Sequence, residues 1–205
     1  MLQFCLFDTA IGPCALVWRD GRIVGAQLPE PDDETALVRL TRRFPKAGEA
    51  VPPAFIEAAI SEVVALLAGQ ARDLSHLPLD LDDVSAFERR VYDIALTIPP
   101  GETLTYGEVA RRLGEPGAAR AVGVALGRNP VPIIVPCHRV LAAGGRTGGF
   151  SAEGGVETKL RLLTIERART DAVPGLFDAL PLAARPPGER LNRTGRQGVS
   201  SPSPP

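Results

Sequence analysis

The sequence predicts an α/β unit followed by a mainly helical unit, and three observations carry that reading. Short β-type runs crowd the first thirty residues and then cease. Helical periodicity, with capping residues at its starts, takes over from residue 34 and dominates after residue 85. From residue 171 both patterns vanish. With 205 residues, 44% of them apolar, the chain is long enough to bury a substantial core. The expected organisation is an α/β domain over 1–80, a mainly helical domain over 81–170 and a tail over 171–205.

The β-type runs are Leu2–Phe7, Cys14–Trp18 and Ile23–Leu28, separated by Ile11-Gly12-Pro13 and Asp20-Gly21. Such turns between short runs predict an antiparallel meander. A helix fits Glu34–Phe44, with Leu37, Leu40 and Phe44 on one side. A second fits Ala54–Ala68, with Pro53 near its start and Phe55, Ile56, Ala59, Ile60, Val63 and Leu67 at helical spacing. Residues 69–84 form a connector with an acidic stretch from Asp80 to Asp83.

The second half opens on a capping box, Ser85 with Glu88, after which Phe87, Val91, Ile94 and Ile98 make one face. Pro99-Pro100-Gly101 should stop that helix. Thr105 with Glu108 is a second capping box, followed by Tyr106, Val109, Ala110 and Leu113, and Gly114 ends the element. After Glu115-Pro116-Gly117 a short helix fits Ala118–Leu126, stopped by Gly127. Two short helices across a tight Gly/Pro turn predict a helix-turn-helix. The second carries Ala119, Ala121 and Gly123, with Arg120 its one long polar side chain. Such a face admits two readings: close approach to a narrow minor groove, or tight packing against the core. From Arg185 onward the chain is rich in Pro, Arg, Gly and Ser. It cannot bury enough surface to offset the entropy of ordering, so the tail is expected to be mostly disordered.

Composition excludes several classes. No window approaches the roughly 18 uncharged apolar residues of a membrane span. Met1–Ala10 alternates apolar and polar residues, unlike a signal peptide, so a cytoplasmic protein is expected, or a nuclear one in a eukaryote. Cys5, Cys14 and Cys137 are odd in number and widely spaced, which argues against a disulfide framework. With only His76 and His138 beside them, no metal site is expected, and no cofactor. The net charge is −1, yet residues 101–170 hold ten Lys/Arg against six Glu, a local charge of +4 that leaves −5 elsewhere. A locally basic half permits phosphate contact.

The chemistry-bearing segment is Asn129-Pro-Val-Pro-Ile-Ile-Val-Pro-Cys-His-Arg-Val140. The apolar run Ile133–Val135 reads as a buried extended piece that delivers Cys137 after Pro136. A thiol attacks as the thiolate, and a nearby imidazole eases loss of its proton. Neighbours on an extended chain point to opposite sides, so His138 would reach the sulfur through a bridging water. Glu166, in a helix over Val156–Arg167, is the candidate to hold the imidazole. A structural cysteine beside a surface histidine is the competing reading. The proline-rich approach, the preceding helix-turn-helix and the following Gly148-Gly149-Phe150-Ser151 together favour a reactive site.

At Pro136-Cys137-His138-Arg139-Val140, Ala118-Ala119-Arg120-Ala121-Val122-Gly123 and Asn129-Pro130-Val131-Pro132, the chain resembles the O6-alkylguanine-DNA alkyltransferases over about residues 85–168. The resemblance implies a ribonuclease-H-like α/β domain followed by a winged-helix-like domain containing the helix-turn-helix. It implies DNA repair by direct reversal: the O6-alkyl group of a guanine flipped out of double-stranded DNA passes irreversibly to Cys137. By that resemblance His138 takes the thiol proton through a water, Glu166 polarises His138, and Asn129 orients the turn before the site. Arg120 fills the gap left in the base stack, on a face with Ala119, Ala121 and Gly123. Tyr106 crowds the rotating phosphate and hydrogen-bonds a guanine ring nitrogen. The Val140 carbonyl, with that of Cys137 as a second candidate, accepts from the exocyclic amine, and the Ser151 N–H donates to O6. Arg139 falls among the DNA contacts and Lys159 near the pocket.

Two departures border the pocket. Phe150 stands where many members have tyrosine, and Ser151-Ala152-Glu153-Gly154-Gly155 is longer than the usual Ser-Gly-Gly turn. Both bear on which alkyl groups fit. The thioether product has no good leaving group, so each molecule should act once, without a cofactor and as a monomer. Two other readings stay open: a cysteine hydrolase using Cys137 and His138, and a non-catalytic sensor that binds the same lesion.

Overall fold

The computed structural model describes residues 1–168; the expected tail lies outside the described residues. The first unit is a four-stranded sheet in the order β3-β2-β1-β4, formed by β1 (Gln3–Phe7), β2 (Cys14–Arg19), β3 (Arg22–Gln27) and β4 (Gly48–Glu49). The expected meander is present. β1 pairs antiparallel with β2 from Gln3↔Trp18 to Phe7↔Cys14, and β2 pairs antiparallel with β3 through a register shift at Val17/Trp18. Asp20 and Gly21 both take positive φ, at 48° and 78°, which closes the β2–β3 hairpin with the twist its strands need. β4, parallel to β1, was not expected, because two residues carry no periodicity to read.

Helices cover both faces of this sheet, which is why β2 is buried continuously from Cys14 to Trp18 instead of at alternate residues. α1 (Asp33–Arg43) seals one face with Leu40 against Phe4, Ala15 and Val17. Its start is fixed by Asp32, whose carboxylate accepts from the Thr35 N–H at 2.7 Å. On the other face Cys5, Cys14, Leu16 and Trp18 meet α2 (Ala54–Leu67) through Ile56, Ala59 and Val63. The same buried cluster continues into Val91, Val109 and Val140. The change of architecture near residue 80 is therefore not a break in the core. The connector runs along the sheet edge, with Ile23 N–H donating to Pro78 O and Asp80 N–H to Ile23 O, each at 2.8 Å.

α3 (Ala86–Leu96) and α4 (Tyr106–Arg112) both start at the expected capping boxes, Ser85 with Glu88 and Thr105 with Glu108. α3 ends at Leu96 with Thr97 as its cap, ahead of the prolines, and Ile98 is buried beyond the helix. α5 (Ala119–Gly127) packs on α3, where the buried Tyr92 hydroxyl donates to Ala125 O at 2.9 Å. Its buried residues are Val122, Ala125 and Leu126. Ala121 is exposed, so tight packing against the core does not account for it. A parallel pair, β5 (Leu104–Thr105) with β6 (Val140–Leu141), ties the start of α4 to the chain just past Cys137. α6 (Gly155–Ile165) closes the described fold and ends sooner than expected, with Glu166 as its cap.

Two local expectations are corrected. The stretch Ile133–Val135 is buried but not extended. It is a tight turn in which Ile133 takes φ 76° and Pro132 bridges Val135. The Asn129 side chain holds that turn from within: Nδ2 donates to Val135 O at 2.8 Å, and Oδ1 accepts from the Val131 N–H at 3.0 Å. Cys137–Arg139 is a single 3-10 turn, closed by Arg139 N–H to Pro136 O at 2.9 Å.

Candidate active site

The 3-10 turn sorts three consecutive side chains into three environments. Cys137 is 8% exposed and lines a cavity of about 530 Å³ whose walls include Tyr106, Arg120, Gly123, Phe150 and Ser151. His138 is 1% exposed, with Nε2 3.0 Å from Glu166 Oε1. Arg139 is 5% exposed and sits across the same carboxylate, with Nε 2.9 Å from Oε2 and Nη2 2.7 Å from Oε1. A third donor of Arg139, Nη1, reaches Ile98 O. Arg139, expected among the DNA contacts, is buried in this structure, where its fork geometry fits the Glu166 carboxylate.

The electrostatics follow from this packing. Burial pushes the Cys137 thiol up, opposed by a hydrogen bond with Asn129 and by the nearby Lys159 charge. Burial pushes His138 down, against the pull of Glu166. Burial would raise Glu166, but the His138 and Arg139 contacts outweigh it and hold the carboxyl at about 2. A neutral imidazole facing an ionised carboxylate carries its proton on Nε2. That leaves Nδ1 as the acceptor, and Nδ1 is buried without a hydrogen-bond partner among the described residues. The turn thus supplies a thiol and a base in one buried cluster.

Lys159 is fully buried on α6, behind the cavity rather than on its wall. Nζ donates to Val140 O at 2.6 Å and lies 5.7 Å from the Tyr106 ring centroid. Burial brings its pKa down to about 8. The Val140 carbonyl, expected to meet a base amine, already has Lys159 as a donor and keeps one lone pair. Tyr106 opens α4, half-buried, with burial as the first cause of its raised pKa. Gly148 takes φ 69° beneath its ring, where a Cβ would come within 2.9 Å of the hydroxyl oxygen.

Arg120, exposed in the first turn of α5, has no ion pair or hydrogen bond among the described residues. Ala119 is half-buried and Ala121 exposed beside it, and Gly123 borders the cavity. Arg111, Arg112, Arg128 and Arg146 are also exposed, so the local positive charge lies largely at the surface. Phe150 and Ser151 sit on the loop before α6, which Arg39 reaches from α1: its guanidinium donates to Ser151 O at 3.3 Å and lies 3.7 Å from Glu153. Arg43 likewise donates to Pro130 O at 2.7 Å. These two arginines escaped the sequence reading, because partners about a hundred residues away leave no local pattern. Among the described residues no cluster of His, Cys, Asp and Glu is suited to hold a metal ion.

Known proteins are similar to this chain in sequence and fold. The family model for the DNA-binding domain of 6-O-methylguanine DNA methyltransferase matches residues 86–168. The methylated-DNA–protein-cysteine methyltransferase of Mycobacterium tuberculosis is 37% identical over 178 residues, spanning 87% of this chain and all of that protein. Its Mycobacterium leprae counterpart is 40% identical over the same coverage. The crystal structure of Mycobacterium tuberculosis OGT in complex with DNA superposes with a TM-score of 0.67 at 36% identity, covering 80% of this chain and 92% of that one. By identity and near-complete coverage, the chain belongs to the methylated-DNA–protein-cysteine methyltransferase family.

Proposed function

We propose that this protein repairs DNA by direct reversal, moving the O6-alkyl group of a guanine in duplex DNA onto Cys137 once per molecule. The observation that carries the reading is Cys137 at the wall of a cavity of about 530 Å³, ample for a guanine base, backed by a buried His138–Glu166 pair. His138 Nδ1 takes the thiol proton through one bridging water. Sγ then bonds to the alkyl carbon as the carbon–O6 bond breaks, and the electron pair stays on the guanine. The Tyr106 hydroxyl, kept protonated by burial, hydrogen-bonds the base, and a proton matching the one lost by the thiol leaves the guanine neutral. The Ser151 N–H stabilises charge developing on O6, and Val140 O, with Cys137 O beside it, accepts from the exocyclic amine.

A base inside a duplex cannot reach Sγ, so the lesion must rotate out. Arg120 then fills the vacated stack, which lowers the few kcal/mol that unstacking costs. Its exposure, and the small side chains of Ala119 and Ala121 around it, suit close approach to a minor groove. We read residues 1–80 as a ribonuclease-H-like unit and the helical part from residue 81 as winged-helix-like, with α4 and α5 as the helix-turn-helix. The test is stoichiometry. With duplex carrying one O6-methylguanine in excess, lesions lost should plateau at one per protein molecule. Continued turnover, or binding without loss, would overturn the reading.

A further inference from the structure

Arg43 is the last residue of α1, and its guanidinium reaches the turn that precedes Cys137. Nη2 donates to Pro130 O at 2.7 Å and to Asn129 O at 3.4 Å, while Nη1 donates to Ala26 O on the edge strand β3 at 3.0 Å. The Ala26 N–H donates to the same Pro130 O, also at 3.0 Å. Arg43 thus joins a helix end, a strand edge and the active-site turn at one point. Packing sets its place there. The next residue, Phe44, lays its ring over Gly25 in space that a Cβ would fill, which keys the end of α1 into β3.

The turn that Arg43 grips needs support. Ile133 takes φ 76°, which a β-branched residue rarely adopts, and such a conformation persists only where the surroundings hold it. The Asn129 side chain holds it from within, and the same side chain hydrogen-bonds the Cys137 thiol. We propose that Arg43 is a positioning residue for the acceptor thiol: by tying the Asn129 and Pro130 carbonyls to the N-terminal unit, it keeps the Asn129 amide aimed at Sγ. It acts through Asn129 rather than on the reacting atoms. A hydrogen bond donated to sulfur favours the thiolate. Misplacing a reacting group by about 1 Å can slow a reaction by about 10²-fold. For its effect on repair the proposal rests on the transfer reading above; its effect on the thiol stands apart from that reading.

The test uses Arg43→Met, which removes the fork, and Arg43→Lys, which keeps a charged donor without it. Arg161→Met is the control. Arg161 also bridges to the N-terminal unit through carbonyls, Ile11 O at 3.2 Å and Ala10 O at 3.1 Å, but these lie in the loop between β1 and β2. Three rates are read at pH 7: alkylation of Cys137 by iodoacetamide, and single-turnover methyl transfer from saturating duplex and from the free base O6-methylguanine. Arg43→Met should slow all three by about tenfold and leave Kd for undamaged duplex within about twofold. Arg43→Lys should be slowed by about threefold. Arg161→Met should lower the melting temperature but leave the rates within about twofold. Cys137 reactivity that is unchanged or raised in Arg43→Met, or lowered equally in Arg161→Met, would overturn the proposal and leave Arg43 a structural tie. Slowing confined to duplex, with weaker DNA binding, would overturn it in favour of a phosphate contact. If Arg43→Met does not fold, Arg43→Lys decides, and rates equal to those of the unmodified chain would overturn the proposal. If the unmodified chain transfers no methyl group, the transfer reading fails, while the iodoacetamide comparison still decides the role of Arg43.

Discussion

His138 Nε2 lies 3.0 Å from Glu166 Oε1, with neither side chain more than 2% exposed. Glu166 is therefore the shared counter-charge of two neighbours, since Arg139 occupies both of its oxygens as well. Removing that charge should do two things. Glu166→Gln leaves the buried guanidinium uncompensated, which should destabilise the fold by about 3–5 kcal/mol. It should also slow transfer, because the imidazole loses the group that fixes its tautomer and supports its basicity. Urea unfolding and single-turnover rates on the same preparations check both.

The same carboxyl makes an acid-stability prediction. Its folded value of about 2 lies below the ordinary 4.5, so the unfolded chain takes up the proton first as pH falls. The stabilisation is complete above about 4.5 and is lost as pH drops toward about 2. It amounts to about 3 kcal/mol. Unfolding free energies measured between pH 5 and 2.5 should show this loss, and Glu166→Gln should flatten that part of the curve.

His138 is held below its ordinary value, so it stays neutral and able to accept a proton through neutral pH. The transfer rate should hold steady through neutral pH and fall only below the ordinary imidazole value of 6.5. His138→Ala should cut the neutral-pH rate by about 10²–10⁴ and recover in part at alkaline pH, where the thiol ionises without help. A pH–rate profile from 5 to 9.5 for both proteins decides this.

Lys159 favours the thiolate through space and holds Val140 O. With a pKa near 8, it supplies that charge at neutral pH and withdraws it above. Lys159→Met should slow alkylation of Cys137 by iodoacetamide severalfold at pH 7, and the difference should shrink above about pH 8. An unchanged rate would show that the charge does not reach the sulfur.

Arg120→Ala should slow transfer from duplex DNA by about 10–100-fold, the equivalent of losing part of the few kcal/mol that base extrusion requires. Transfer from the free base O6-methylguanine, which needs no extrusion, should change by less than about twofold. Parallel rates on the two substrates separate DNA entry from chemistry.

Signals confined to a few adjacent residues could be read from sequence. The meander announced itself through Asp20-Gly21, and α3 and α4 through their capping boxes, because each device acts within four residues. Cys137, His138, Glu166 and Asn129 were named because the motif around the cysteine is contiguous and Glu166 follows on the next helix. What the sequence does not show shares one cause. The pairing of Arg139 with Glu166 has no local signal because its carboxylate partner is 27 residues away. Ile133–Val135 read as extended because apolar content does not distinguish a strand from a buried turn pinned by Asn129. Gly148 beneath Tyr106, Arg39 on Ser151, and the core shared across residue 80 are products of tertiary packing, which no short window encodes.

Transfer to Cys137 is read directly by intact-protein and peptide mass spectrometry after mixing the protein with duplex DNA carrying a single O6-methylguanine, alongside Cys137→Ala. The expected result is a gain of one methyl group per molecule, located on Cys137 and absent from the variant. No mass gain, or a methyl group on any other residue, would contradict it.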